Sequence, residues 1–471
     1  MGDQNTDNSA AASGKRRHAT LFSNRFAFIL AAAASAIGLG NLWRFPSLAA
    51  KYGGGAFLLV YLILVVTFGF TLMLAELAIG RKTGKSAIDA FRSFGKRYAI
   101  IGVLTALVPV IITPYYCVIG GWISKYLVVY LTGGGAGTAD GGGFFSGFIA
   151  SSGEPVLWTA LFIVLVMLVV GIGLEKGIEK LNSIVMPVLL LFVIGISIYA
   201  LTIPGALDGL AYYLIPRLED FSIATVVAAM GQLFFSLSLA MGIMITYGSY
   251  TSKETNLEKS VRQIEIGDTA LALLCGLMII PAVFAFSGAE GAQQAGPGLL
   301  FITMPQVFAT LPFSTALGAV FFFAVFFAAL TSAISLAEAI VSFVMDRLGF
   351  SRRKAALMVF VGVLLLAIPP TLGFSDWGNA TLTIGSADMT ILDIMDFLSN
   401  SILMPLVALL VCLFVGYWVG PAFVKDEVEA TGGVHFKAMT LFRVMIRYIA
   451  PAFLLIILIS SVLNATGIIA L

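Results

Sequence analysis

Residues 38–47 read GLGNLWRFPS, and they fall where apolar sequence ought to run unbroken. FAFILAAAASAI (26–37) precedes them, and GGGAFLLVYLILVVTFGFTLMLAELAIG (53–80) follows after five more residues. Two glycines, an asparagine, an arginine and a proline therefore interrupt a stretch suited to hydrocarbon. Each backbone group left without a partner at membrane depth costs several kcal/mol, so the interruption asks for a purpose.

The rest of the chain puts that stretch in a bilayer. Of 471 residues 59% are hydrophobic and 11% charged, against about 25% charged in a soluble domain. With a formal net charge of +2, nothing points to nucleic acid. Cys117, Cys275 and Cys412 all lie in apolar runs, which predicts buried packing residues rather than disulfides. The polar first 20 residues lack an apolar core before a cleavage site. Residues 1–21 are expected to form a disordered cytoplasmic tail, not a signal peptide.

Apolar runs of about 20 residues predict eleven spans, near 25–48, 55–80, 98–131, 155–173, 182–203, 222–250, 264–287, 313–346, 354–372, 391–419 and 440–463. With the N-terminus inside, 23 of the 27 lysines and arginines fall on the cytoplasmic side, leaving Arg44, Lys51, Lys125 and Arg217 outside. That bias orients the protein. Eleven spans then place the C-terminus and a short tail, 464–471, outside.

Two spans are broken in the same way. Span 1 is interrupted over Ala34–Asn41, and span 6 carries FFSLSLAMG (234–242) midway. They lie five spans apart. Interrupted segments at matching places in two halves point to a transporter binding site, and five helices per half make the second half inverted. The expected fold is all-α: repeat one about 22–203, repeat two about 222–419, and helix 11 about 440–463. Glycine pairs also serve plain helix packing, but packing does not explain a matched pair of breaks with Asn41 and Arg44 attached. Unwound carbonyls can bind cations there, and free N–H groups can bind a carboxylate.

Polar residues inside the other spans add candidates. Thr331, Ser332 and Ser335 share one turn of span 8; such oxygen clusters suit hard cations, though hydroxyls also bond back to their own helix. Asp268 is read at the opening of span 7 and Glu76 at the close of span 2. Asp393 and Asp396 begin span 10 on the same side as Arg44, so an Arg44–Asp396 pair can close an outer vestibule.

GLGNLWRFP with GGGAFLLVY, LAELAIGR, PYYCVIGGW, GQLFFSLSLAMG, GPGLLFITMP and AALTSAIS, in this order, resembles the neurotransmitter:sodium symporter family, particularly its bacterial amino-acid transporters. The likeness covers roughly residues 22–463. It implies a substrate held between broken helices 1 and 6, two sodium ions, and alternating access. By position, the first sodium site takes the Ala36 carbonyl, Asn41, Ser236 and Asp268, completed by the substrate carboxylate. The second takes the Ala34, Ile37 and Ala328 carbonyls with the Thr331 and Ser332 hydroxyls. The substrate carboxylate meets the Leu39 and Gly40 N–H groups and the Tyr116 hydroxyl; its amino group faces Ala36, Phe235 and Ser236. Ile112, Tyr116, Phe235, Ser238, Met241, Ser332 and Leu336 line the side-chain pocket, with Ser35 beside it. Phe235 is the implied lid, and Arg44 with Asp396 the outer gate.

Departures from the family pattern sharpen these expectations. Gly38 stands where monoamine carriers have aspartate, so the substrate should bring its own carboxylate. Asp268 stands where many members have asparagine; its charge would replace chloride, so chloride should not be required. Asp346 matches the acidic half of a cytoplasmic gate, but the family's arginine position falls on Ala19, leaving Arg16 or Arg17 as substitutes. Ser35, Ala240 and Met241 replace a common asparagine, glycine and phenylalanine, which bears on substrate size; a methionine tolerates varied partners. Gly177 and Pro187, nine residues apart in between, resemble a motif at which helix 5 unwinds to release sodium inwards, though a proline near a helix start also kinks it without function. An enzyme is disfavoured, since His18 and His435 are the only histidines and no nucleophile–base or metal-ligand grouping is evident. A channel or structural membrane protein does not explain the paired breaks. The expected function is sodium-coupled uptake of a neutral, hydrophobic L-amino acid across a bacterial plasma membrane. The alternatives are a proton-coupled carrier of the same fold leaning on Glu76, Asp268 or Glu338, and a sodium-coupled carrier of an ω-amino acid, disfavoured by bulky Leu39. Oligomeric state stays open.

Overall fold

A computed structural model describes residues 22–292, 298–378, 380–384, 387–430 and 435–466. The 1–21 tail, with Ala19, Arg16 and Arg17, lies outside the described residues, as does most of 464–471. Among the described residues nine helices are long and apolar enough to cross a membrane, and a tenth is a pair bent by 48°, Arg25–Ala36 and Gly40–Lys51. The bent pair is span 1. Spans 2 to 5 are Gly55–Thr83, Lys96–Leu131, Gly153–Ile172 and Gly177–Ala200; spans 7 to 11 are Leu257–Phe286, Ser314–Leu348, Arg352–Leu372, Ile391–Trp418 and Met439–Leu463. Span 6 is two shorter helices, Ile223–Ser236 and Ile243–Ser249, separated by non-helical residues. Its break, residues 237–242, is longer than that of span 1, residues 37–39.

Helix ends differ from the apolar runs where polar residues continue the helix. Span 7 starts at Leu257, so Asp268 lies about three turns inside it rather than at its opening. Glu76 likewise sits about two turns before the end of span 2. Hydropathy marks where lipid contact stops, not where backbone bonding stops.

Packing follows the expected doubling. Span 7 packs along both halves of span 1, and span 2 along both halves of span 6. Spans 3 and 8 pack closely on each other, flanked by 4 and 9, while 10 and 11 pair. The apolar windows of spans 2, 3 and 8 are 67% buried, those of 4, 5 and 9 are 39% buried, and that of span 11 is 28% buried. The broken spans are thus walled by protein, the condition under which irregular backbone survives at membrane depth. Short helices Gly143–Ala150, Ala206–Leu214 and Leu299–Ala309, and the hairpin Leu382–Ile384 with Ala387–Met389, fill loops. The described part of GPGLLFITMP belongs to the third of these helices.

Candidate functional site: the two breaks

The α-helical part of span 1 stops at Ala36, whose successor Ile37 turns to φ −76°, ψ 90°; a π-helical turn over Gly40–Arg44 then restarts it. Small residues make this possible. A Cβ on Gly38 would fall on the Ser332 hydroxyl and lie 3.1 Å from the Tyr116 hydroxyl, and one on Gly40 would meet the Phe235 ring at 2.8 Å. Span 6 breaks differently: Ser238, Ala240 and Gly242 take left-handed φ of 53°, 60° and 76°. For Ser and Ala this is strained. Glu76, buried in span 2, offsets it by accepting the Ala240 N–H at 2.7 Å.

Between the breaks lies an oxygen cluster from three spans. Asn41 Nδ2 donates to Asp268 Oδ1 at 2.7 Å, and the Ser236 hydroxyl reaches Asn41 Oδ1 at 3.0 Å and both Asp268 oxygens at 2.9–3.0 Å. All three side chains are fully buried. These are the side chains expected at the first sodium site, with Ala36 at the adjoining helix end. Two supporting residues escaped the sequence reading. Tyr61 donates its hydroxyl to Asp268 Oδ2 at 3.3 Å, and Gln232 Nε2 donates to the Gly40 carbonyl at 2.8 Å. A glutamine one turn before Ser236 in an apolar span was the available signal for the second; a tyrosine among leucines carried none.

The hydroxyls expected at the second sodium site sit on span 8 against span 1. Ser332 donates to the Ser35 carbonyl at 3.1 Å, while Thr331 bonds back to the Ala328 carbonyl at 3.1 Å. Ala34, Ile37 and Ala328 are buried in the same core. Ser335, the third hydroxyl of that turn, bonds to Tyr247 at 2.8 Å, deeper along the helix.

A cavity of about 20 Å³ is lined by Ser35, Ala36, Gly38, Gly40, Ile112, Tyr116, Phe235, Ser238, Met241, Ser332 and Leu336. These are expected substrate residues; Ile243, from the restart of span 6, is an addition. Leu39 donates its N–H to the Tyr116 hydroxyl at 3.3 Å, so the expected carboxylate partners converge. The volume admits about one water, so the pocket is in a closed-down form. Above it a vestibule of about 250 Å³ is bordered by Arg44, Tyr52, Phe234 and Asn400.

The outer gate is not an ion pair here. Arg44 lies over the Phe235 ring, 5.0 Å from its centroid, while Asp396 is held by Asn400 at 2.6 Å and the Tyr115 hydroxyl at 3.1 Å. Each charge has found a nearer partner. At the other end of the bundle Asp346 accepts from the Ser86 N–H and hydroxyl at 2.8 and 2.6 Å, beside an open pocket with Lys85 and Asp89. Nearby Glu338 is bonded twice by Arg352, at 2.6 and 2.9 Å, and by the Tyr250 hydroxyl at 2.7 Å. That pairing leaves it poorly placed as a lone proton carrier. Glu179 accepts from the Ser23 N–H and hydroxyl at 2.9 and 2.6 Å, tying the start of span 1 to the start of span 5. Span 5 is wound at this point: a π-helical turn over Leu174–Glu179 runs into the helix containing Pro187, and Gly177 packs against the Val169 carbonyl. Among the described residues no group of three or more His, Cys, Asp or Glu forms a metal-binding cluster.

The sodium:neurotransmitter symporter family matches residues 19–135 and 145–469. An uncharacterized sodium-dependent transporter of Bacillus subtilis (strain 168), YhdH, is 34% identical over 454 residues, covering 95% of this chain and 98% of the other. The human sodium- and chloride-dependent GABA transporter 2 is 27% identical over 372 residues, 69% of this chain and 62% of the other. The crystal structure of MhsT in complex with L-phenylalanine superposes with a TM-score of 0.86 at 38% identity, over 94% of this chain and 99% of that one. The chain belongs to the sodium:neurotransmitter symporter family and is a secondary active, sodium-coupled membrane transporter rather than an enzyme.

Proposed function

We propose that this transporter carries a neutral, hydrophobic L-amino acid inwards together with two sodium ions, by alternating access and without chloride. The observation that carries the reading is the Asn41–Ser236–Asp268 cluster set against Gly38. The protein supplies a fixed carboxylate beside the first cation position and none at Gly38, where the Cβ space is already taken. When the closed-down pocket opens, a substrate carboxylate takes its place next to Leu39, Gly40 and Tyr116. Shared between substrate and sodium, it makes the binding of each depend on the other, and a sodium gradient then drives uptake. The second ion takes Ala34, Ile37, Ala328, Thr331 and Ser332. Asp268 supplies the negative charge that the chloride of the GABA carrier's name suggests is needed there, and Tyr61 with Ser236 holds it in place. The apolar wall of Ile112, Met241, Ile243 and Leu336 favours an apolar side chain; which amino acid fits best depends on how far the closed pocket opens.

Arg44 and Asp396 close the outer path when substrate draws Phe235 over the pocket. Asp346 and the Glu338–Arg352 pair hold the opposite, cytoplasmic path shut. Unwinding at Gly177 would break the Ser23–Glu179 tie and let water towards the second ion; Pro187→Ala should slow turnover several-fold without changing substrate affinity, measured as uptake rate against equilibrium binding. The lysine and arginine bias supports a cytoplasmic N-terminus, and the similarity to bacterial transporters supports a bacterial plasma membrane.

Uptake of a labelled neutral amino-acid panel into proteoliposomes tests the whole reading. Accumulation under an inward sodium gradient, absent in potassium and indifferent to chloride, is expected. Equal uptake in both salts with dependence on a pH gradient would transfer the reading to the proton-coupled alternative.

A further inference from the structure

Spans 10 and 11 meet at two facing π-helical turns, Phe414–Trp418 and Met445–Ile449. In each, the following N–H bonds five residues back, Val419 to Phe414 and Ala450 to Met445, which disturbs the regular carbonyl ladder. Arg447 uses the disturbance: its Nε donates to the Gly416 carbonyl at 2.8 Å, and the Tyr417 hydroxyl donates back to the Arg447 carbonyl. Gly416 permits the approach, since a Cβ there would lie 3.0 Å from the Ile446 carbonyl oxygen. Arg447 is the ninth residue of span 11, about 12 Å along the helix from its start, on the least buried of the nine long spans.

Among the described residues no ion pair involves Arg447, or Arg443 one turn before it. A guanidinium has five N–H donors, and the Gly416 bond uses one. Charge at such a depth needs a partner or a route to the interface. The surroundings are those of an interface: Tyr417, Trp418 and Tyr448 are exposed, and Trp418 stacks on Tyr98, which Arg97 covers at 4.7 Å. A belt of exposed aromatics marks headgroup level, and planar bidentate donors match a phosphate.

We propose that Arg447, with Arg443, binds the phosphate of an anionic phospholipid in the leaflet at the basic end of the bundle, acting as a lipid clamp across spans 10 and 11. The inference needs only that the chain lies in a bilayer; it does not depend on the substrate or on the number of sodium ions.

The test is native mass spectrometry of the purified transporter titrated with phosphatidylglycerol and with zwitterionic phosphatidylcholine. Wild type should retain phosphatidylglycerol preferentially. Arg447→Gln should weaken that retention about fivefold, the loss of one cationic contact, while Arg447→Lys should keep part of it. Arg353→Gln, an exposed arginine at the same end on span 9, should leave it unchanged. Thermal melting of each variant in detergent checks folding, and Arg443→Gln serves as the second loss-of-charge variant if Arg447→Gln is unstable. Equal retention by wild type and both glutamine variants would overturn the assignment, as would a wild type that does not distinguish the two lipids. Equivalent protection by inorganic phosphate in lipid-free detergent would replace the lipid with a free-phosphate site. A lipid-free dimer lost in Arg447→Gln would show that a second copy covers this face and would also overturn it.

Discussion

Spans 1 and 6 are broken at corresponding places in the two halves, yet by different physics. Span 1 gives way through absence. Gly38 and Gly40 keep negative or unexceptional backbone angles, and their missing side chains let Ser332, Tyr116 and Phe235 close in. Span 6 gives way through strain, with two non-glycine residues in the left-handed region and a buried glutamate from span 2 holding one of the freed N–H groups. The first break lets side chains from other spans close onto bare backbone; the second is a strained segment with its own internal support. Two repeats can therefore share a broken helix while reaching the break by different means, and both breaks line the same cavity.

The largest test of that contrast concerns the cluster both breaks share. Asp268→Asn removes its only fixed charge, and sodium affinity should fall by roughly two orders of magnitude, with chloride restoring part of the uptake. Uptake at graded sodium, with and without chloride, reads both effects. Full activity in chloride-free buffer would break the link between this carboxylate and the cation.

On the span 1 side, Gly38→Asp places a carboxylate where Ser332 and Tyr116 already sit. Amino-acid uptake should fall more than about tenfold, since an overpacking term of 1–3 kcal/mol adds to like-charge repulsion. Gly38→Ala isolates the steric share, and equilibrium binding distinguishes lost affinity from lost turnover. On the span 6 side, Glu76→Leu leaves the Ala240 N–H unpartnered and should destabilise the protein by about 1–3 kcal/mol. Glu76→Gln, which keeps an acceptor, should recover most of that in thermal unfolding. The smallest effect is also the most diagnostic. Ala240→Gly relieves left-handed strain and should stabilise by about 1 kcal/mol, whereas the same change at a residue of ordinary φ destabilises.

Legibility in the sequence followed the range of the interactions. Span existence was readable because hydropathy acts locally, and the matched breaks because small and polar residues stand out in apolar runs. The cluster of Asn41, Ser236 and Asp268 was assigned through family resemblance, and the fold then brought the three side chains within hydrogen-bond reach. Arg44 and Asp396 show the opposite case. Their charges and shared side suggested a pair, but Phe235 and Asn400 are closer competitors, and no spacing along the chain reveals a competitor from another helix.

By itself the sequence determined a polytopic helical protein with two interrupted spans and a positive bias towards one side, since each of those follows from residue type and local order. Only the tertiary structure decided that Glu76 supports the second break, that Tyr61 and Gln232 buttress the Asn41–Ser236–Asp268 cluster and the break beside it, and that Arg447 has no ion-pair partner among the described residues. Those contacts join residues up to 207 positions apart in the chain, and their partners are chosen by how packed helices meet rather than by anything written beside them.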